Sequence, residues 1–203
     1  KELKKVWVEL KEYPTLKNFL IAFFLLSVGV QTIILLATIF GSIELGLGTT
    51  NLIVTVLLIQ FVAILGAYVF SKVSEKYGNF KAIKITLVIW ILVCLAAFML
   101  EKELPNVEYY FYALGGLLGL VLGAIQSLTR STYSKLLPKT QENATYFSFY
   151  DVTEKIAIVL GTFVFGFLIY LTGSMQWSVL SLGLFFIASL VVLSSLKSTE
   201  HVH

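Results

Sequence analysis

Six apolar runs, each about 20 residues long, limit what this chain can fold into, because about 20 apolar residues in a helix cross the ~30 Å hydrocarbon core of a bilayer. They lie at 16–40, 51–70, 83–100, 110–128, 146–171 and 177–196, separated by short polar connections. None shows the alternating polarity of barrel strands. Charged residues make up only 13% of the chain and apolar ones 58%, whereas a water-soluble domain is about a quarter charged. The expected fold is therefore an all-α polytopic membrane protein with six transmembrane helices, and its first partner is the lipid bilayer.

The cations orient the helices. Of 15 Lys and Arg residues, five fall by the start of the first run, four between 72 and 84, four between 130 and 155, and one at Lys197; Lys102 alone breaks the alternation. The positive-inside rule then puts both termini in the cytoplasm and leaves 101–109 as an external loop.

Several functions are excluded. Cys94 lies mid-run as the single cysteine and is a packing residue, and the two histidines, His201 and His203, sit in the tail. No metal cluster and no histidine-dependent chemistry can be assembled from these. No GxxxxGK[ST] phosphate loop occurs, so ATP-driven pumping is not expected, nor is any cofactor. The net charge of +3 is accounted for by topology and implies no nucleic-acid partner. The first residue is Lys1, as in a piece of something longer.

The polar groups inside the runs carry the functional signal. Gly115, Gly119 and Gly123, broadened by Gly116, form a small-residue stripe on the fourth run, and the same face continues through Gln126 and Ser127 to Arg130, Ser131 and Ser134. Two roles fit the stripe: close packing of a helix that turns polar as it leaves the membrane, or the lining of a pathway. The first run repeats the theme with Ser27, Gly29, Gln31, Thr32 and Thr38. In the second run Gln60, followed by Gly66 and Ala67, suits an interhelical hydrogen bond. Glycine then glutamine with an adjacent hydroxyl recurs in runs one and four, as Gly29, Gln31, Thr32 and Gly123, Gln126, Ser127. Three spans reverse direction, so the chain reads as two inverted three-helix repeats, a transporter device.

These stretches resemble the second six-helix half of a major facilitator superfamily transporter, in the branch related to autophagy-type vacuolar effluxers and called the unknown major facilitator family. The resemblance rests on GVQT at 29–32 with ATIFG at 37–41, LIQFVAILGAYVFSKVSEKYGNFKA at 58–82, GLVLGAIQSLTRSTYSKLLPK at 119–139 and YFSFYDVTEKIAIVLGTFVFG at 146–166. It implies a cytoplasmic linker at 1–15 from a preceding half, helices at 16–100 and 110–196, and a cytoplasmic tail at 197–203. The missing N-terminal six-helix half is then the principal protein partner, and a bacterial plasma membrane the expected location. SKVSEKYGNFKA is a variant of the superfamily's short loop between the second and third helices of a half, with Ser71 in place of a glycine and Asn79 where arginine is common. By resemblance Glu75 meets the cationic end of a neighbouring helix, for which Arg130 is the candidate, and the pair breaks as the transporter opens.

In YFSFYDVTEKIAIVLG, Asp151 and Lys155 are four apart in the favourable order for a helical ion pair, with Glu154 beside them. All three stand one or two turns into the run, as headgroup anchors or as a gate. The family keeps a lysine here, so the resemblance makes Lys155 a gating residue and a counter-ion for an acidic solute. Val28 occupies the place before GVQT where relatives carry an acid, and no carboxylate is expected near the middle of any span. Proton coupling would need one from the other half.

The expected function is transport of a small polar solute by alternating access, such as efflux of an amino acid or another metabolite, with no catalysed chemistry. Gln31, Thr32, Gln126 and Ser127 supply hydrogen bonds, while Phe23 and Phe24 supply walls. A membrane scaffold that uses its amides only for packing, and a self-contained six-span carrier that dimerises, are the rival expectations.

Overall fold

The computed structural model describes residues 10–138 and 143–196. His201 and His203, Lys197 with the rest of the tail, and most of the 1–15 linker lie outside the described residues.

The described chain is all-helical, and six helices are long and apolar enough to cross a membrane. They are α1 (Pro14–Ile39), which continues as a π-helical turn (Phe40–Glu44), α2 (Thr49–Tyr77), α3 (Asn79–Phe98), α4 (Val107–Leu136), α5 (Asn143–Thr172) and α6 (Met175–Ser195). Pro14 opens α1 at a position where its missing N–H costs nothing. Glu108 in the first turn of α4 and Lys135 in its last complement the helix dipole. Many hydroxyls inside the helices bond back to their own turns, as Thr129 does to the Ile125 carbonyl at 2.7 Å, which satisfies them without water.

The helices are arranged as a repeat. α1 packs against α5 and α6, α4 packs against α2 and α3, and α3 meets α6 between them. Exchanging α1 with α4, α2 with α5 and α3 with α6 maps these neighbour relations onto one another. The exchange also has a sequence register. The interval of 95 positions from Gln31 to Gln126 also joins Thr32 to Ser127, Gly66 to Gly161 and Gly78 to Gly173.

The last pair shows what the register preserves. Gly78 and Gly173 end α2 and α5 with φ of +86° and +67°, where a side chain would be strained. Each donates its N–H over 2.8 Å to the carbonyl four residues back, Ser74 and Ile169, themselves at the same interval.

Packing differs between the two copies. At Gly66, Gly119 and Gly123 an added Cβ would collide with the facing backbone carbonyls of Leu120, Ile59 and Ala63, so α2 and α4 touch backbone to backbone. Gly115 meets the Thr55 side chain on the same seam. The equivalent seam between α1 and α5 closes over Gly161 against Val28 and Thr32. At the centre, Trp90 of α3 stacks on Phe186 of α6 with centroids 5.2 Å apart, and that phenylalanine ring covers Gly29 of α1.

Candidate functional site

A polar cleft of about 220 Å³ opens where α4 and α5 diverge beside α1. From α1 it takes Phe23, Ser27 and Gln31; from α4 Gln126, Thr129 and Arg130; from α5 Tyr150 and Glu154. Three side-chain bridges span it. The Gln31 amide donates to the Glu154 carboxylate. The Tyr150 hydroxyl donates to Thr129 Oγ1 at 3.0 Å. Arg130 donates to Asp151 Oδ1 at 3.2 Å, and its guanidinium lies 6.0 Å from the Tyr150 ring centre. The Phe23 ring stacks on Tyr150 at 3.9 Å and forms one wall.

Depth gives these contacts their meaning. At 1.5 Å per residue, Glu154 lies about 16 Å along α5 and Gln31 about 25 Å along α1, far from either helix end. Glu154 is half-buried and meets Gln31 well inside α1; the sequence put it one or two turns into its apolar run and gave it no partner on another helix.

Two expectations are corrected. Arg130 pairs with Asp151 rather than Glu75, because α4 leaves the bundle facing the start of α5. Glu75 faces outward near the end of α2 and pairs with Lys72 at 3.0 Å, both side chains well exposed. Asp151, given to Arg130, does not make the helical pair with Lys155, which stands exposed outside the cleft. The connection between α2–α3 and α4 is instead made by Asn79. Its amide nitrogen donates to Thr132 Oγ1 at 3.0 Å and Ser131 Oγ at 3.3 Å, and its oxygen accepts from Lys135 at 3.2 Å and from Ser74.

The four expected solute ligands separate. Gln31 and Gln126 line the cleft. Thr32 is kept out of it: fully buried, the hydroxyl donates to the Val28 carbonyl at 2.6 Å and is pressed against Gly161. Ser127 lies on an exposed face beside the cleft and bonds to the Ala124 carbonyl at 3.1 Å. Phe24 is not among the walls. Tyr150 and Thr129 are cleft residues that the sequence did not single out; Tyr150 carried a signal, being an aromatic hydroxyl on the same helix face as Glu154 at a spacing of four.

The repeat builds this cleft twice. A second cleft, of about 160 Å³, lies between α1, α2 and α4. At five positions the 95-residue interval carries one lining onto the other: Phe23 to Leu118, Ser27 to Leu122, Ile34 to Thr129, Thr55 to Tyr150 and Ile59 to Glu154. Leu35 is the counterpart of Arg130 by the same interval. The repeat thus carries aliphatic residues where the polar cleft has a carboxylate and a guanidinium.

Six helices long and apolar enough to cross a membrane, arranged as an inverted repeat around a polar cleft, fit a fold of the major-facilitator type. Over residues 1–201 the chain matches the family described as "Vacuole effluxer Atg22 like", and it belongs to that family. It is 31% identical over 194 residues to an uncharacterized MFS-type transporter, YxiO, of Bacillus subtilis, covering 96% of this chain and 44% of that protein. It is 30% identical over 200 residues to autophagy-related protein 22 of Kluyveromyces lactis, covering 94% and 40%. Against the protein of the same name from Yarrowia lipolytica it is 31% identical over 186 residues, covering 85% and 30%. The chain therefore spans less than half the length of the curated relatives it matches.

Proposed function

We propose that this chain is one six-helix half of a secondary transporter that moves a small polar solute by alternating access, the other half coming from the remainder of a longer protein. The observation that carries the proposal is the cleft lined by Gln31, Gln126, Arg130 and Glu154, whose counterpart in the repeat has Ile59 in the place of the carboxylate and carries no charged side chain. Polar groups at such depth are costly in lipid and mark solute or ion routes. Gln31 and Gln126 are the solute's hydrogen-bonding partners, with Phe23 and Tyr150 as walls.

Arg130 and Glu154 offer both signs of charge to a solute, which suits a small metabolite such as an amino acid. The relatives' names, effluxer and MFS-type transporter, agree with that class. Rocking of the two halves exposes the cleft alternately, with Arg130–Asp151 as a contact that the motion remakes and the exposed Lys155 as a gating residue outside the cleft. Lysine placement puts both termini in the cytoplasm, and the bacterial relative points to a plasma membrane. A packing scaffold has no use for a half-buried carboxylate whose twin is isoleucine.

The test is uptake of a radiolabelled mixture of the protein amino acids by liposomes holding the full-length protein. Gln126→Ala should slow uptake about two- to tenfold, the equivalent of one hydrogen bond, with unchanged thermal stability. Unchanged uptake in the folded variant would remove Gln126 from the pathway.

A further inference from the structure

We propose that Glu154 is a reversible proton-binding site, positioned by Gln31, that couples the cleft's opening to proton movement. The proposal deepens the transport function and relies on it for the coupling, while the proton site itself stands on this chain's geometry. Four observations converge on it. Glu154 is the acidic side chain farthest from a helix end among the described residues. It lines a cleft roomy enough for several waters, which gives a proton a way in. Its carboxylate accepts from an amide that cannot itself titrate, so both protonation states keep a partner. Its counterpart in the second cleft is Ile59, a neutral side chain at the same place in the repeat.

The surrounding charges are few. From α4 only Arg130 faces the cleft, and it is committed to Asp151. On α5 itself Tyr150 lines the cleft, Asp151 faces Arg130, and Lys155 is exposed. α1 offers ionisable groups only near its two ends, Lys17 and Glu44, and α6 carries none. Glu154 is therefore the cleft's one carboxylate without a cationic partner of its own among the described residues.

The step conserves charge and atoms. A proton from water in the open cleft adds to the Glu154 carboxylate and forms the neutral acid. In that form the side chain can be covered by apolar surface without the cost of burying an ion. When the cleft opens to the other side, the proton returns to water and the carboxylate again takes the Gln31 amide.

The test is a pH titration of the full-length protein in liposomes, followed by the infrared carboxyl stretch, with Glu154→Gln as the fixed neutral form. A carboxyl band that titrates in the wild type and is absent from Glu154→Gln assigns the site; an unchanged band in the variant overturns it. Glu154→Ile, the residue of the twin cleft, should fold normally and also lack the band, which separates loss of the proton from loss of the fold. Gln31→Ala should displace the pH at which the band titrates, because the charged form loses the bond the amide donates; a purely structural glutamine would leave that pH alone.

Coupling is read from the same vesicles. For one coupled proton the wild type should accumulate the labelled amino-acid mixture up to about tenfold per pH unit across the membrane. Glu154→Gln should exchange solute yet reach no accumulation. Accumulation by Glu154→Gln equal to the wild type refutes the coupling. If no solute is taken up while the band titrates and is lost in the variant, the proton site stands and the transport proposal for that solute class fails.

Discussion

A methyl group has opposite importance at two kinds of position in this bundle. At Gly123 the Ala63 carbonyl already occupies the space a Cβ needs, and a rigid backbone cannot yield. Gly123→Val should destabilise the full-length protein in detergent by at least about 1–3 kcal/mol, read as a lowered thermal midpoint. At Ser189 the hydroxyl donates to the Ala22 carbonyl at 2.8 Å between α6 and α1, fully buried. Its loss in Ser189→Ala should cost only about 0.6 kcal/mol, because in lipid the competing state also finds partners. An equal loss from both variants would contradict the backbone contact at the glycine seam. Residue identity alone left Gly123 between packing and pathway, since small residues serve both. The partner of Glu154 was hidden for a related reason: which helix lies opposite is a tertiary fact.

At the scale of the element, the six spans were legible because hydropathy alone determines them, and their number and order stand. The ends were not. α2 runs through SKVSEKY to Tyr77 and α4 through STYSKL to Leu136, both polar stretches that hydropathy assigns to loops. A helix that has crossed the hydrocarbon continues through the headgroups at no desolvation cost, so polarity there does not stop it; Gly78 stops α2 through its positive φ. The connection from this end to α4 follows a rule the charge pattern hid, with the neutral Asn79 in place of an acid–arginine pair. Asn79→Ala should cost about 0.5–1.5 kcal/mol for the bonds it loses, and Glu75→Gln less than about 0.5. The penalty for Asn79→Ala should hold from low to high salt, since amide bonds are not screened as exposed ion pairs are. A thermal midpoint that falls with Glu75→Gln and is spared by Asn79→Ala would restore the ionic latch.

On the scale of the whole molecule, buried and open faces are unequally distributed. In α1, 61% of the most apolar window is buried, against 11% in α2 and 17% in α5. α1 is thus the heart of this unit, and α2 and α5 are its flanks, each forming an edge of one of the twin clefts. On the proposal that a second six-helix half completes the protein, that half faces those flanks, the polar cleft lies toward an aqueous crevice between halves, and outward faces such as Leu184 on α6 lie toward lipid. Cysteine accessibility in the full-length protein separates these surroundings, in a background with native cysteines removed. Gln126→Cys should react with a membrane-impermeant maleimide, because only a thiol in contact with water forms the reactive thiolate. Leu184→Cys should remain unlabelled, although both side chains are exposed in this unit. Labelling at Gln126→Cys that falls when solute is added would place solute in the crevice. A Gln126→Cys thiol as unreactive as Leu184→Cys would mean that lipid or packed protein covers the amide, and the scaffold function would then account for the molecule better than transport.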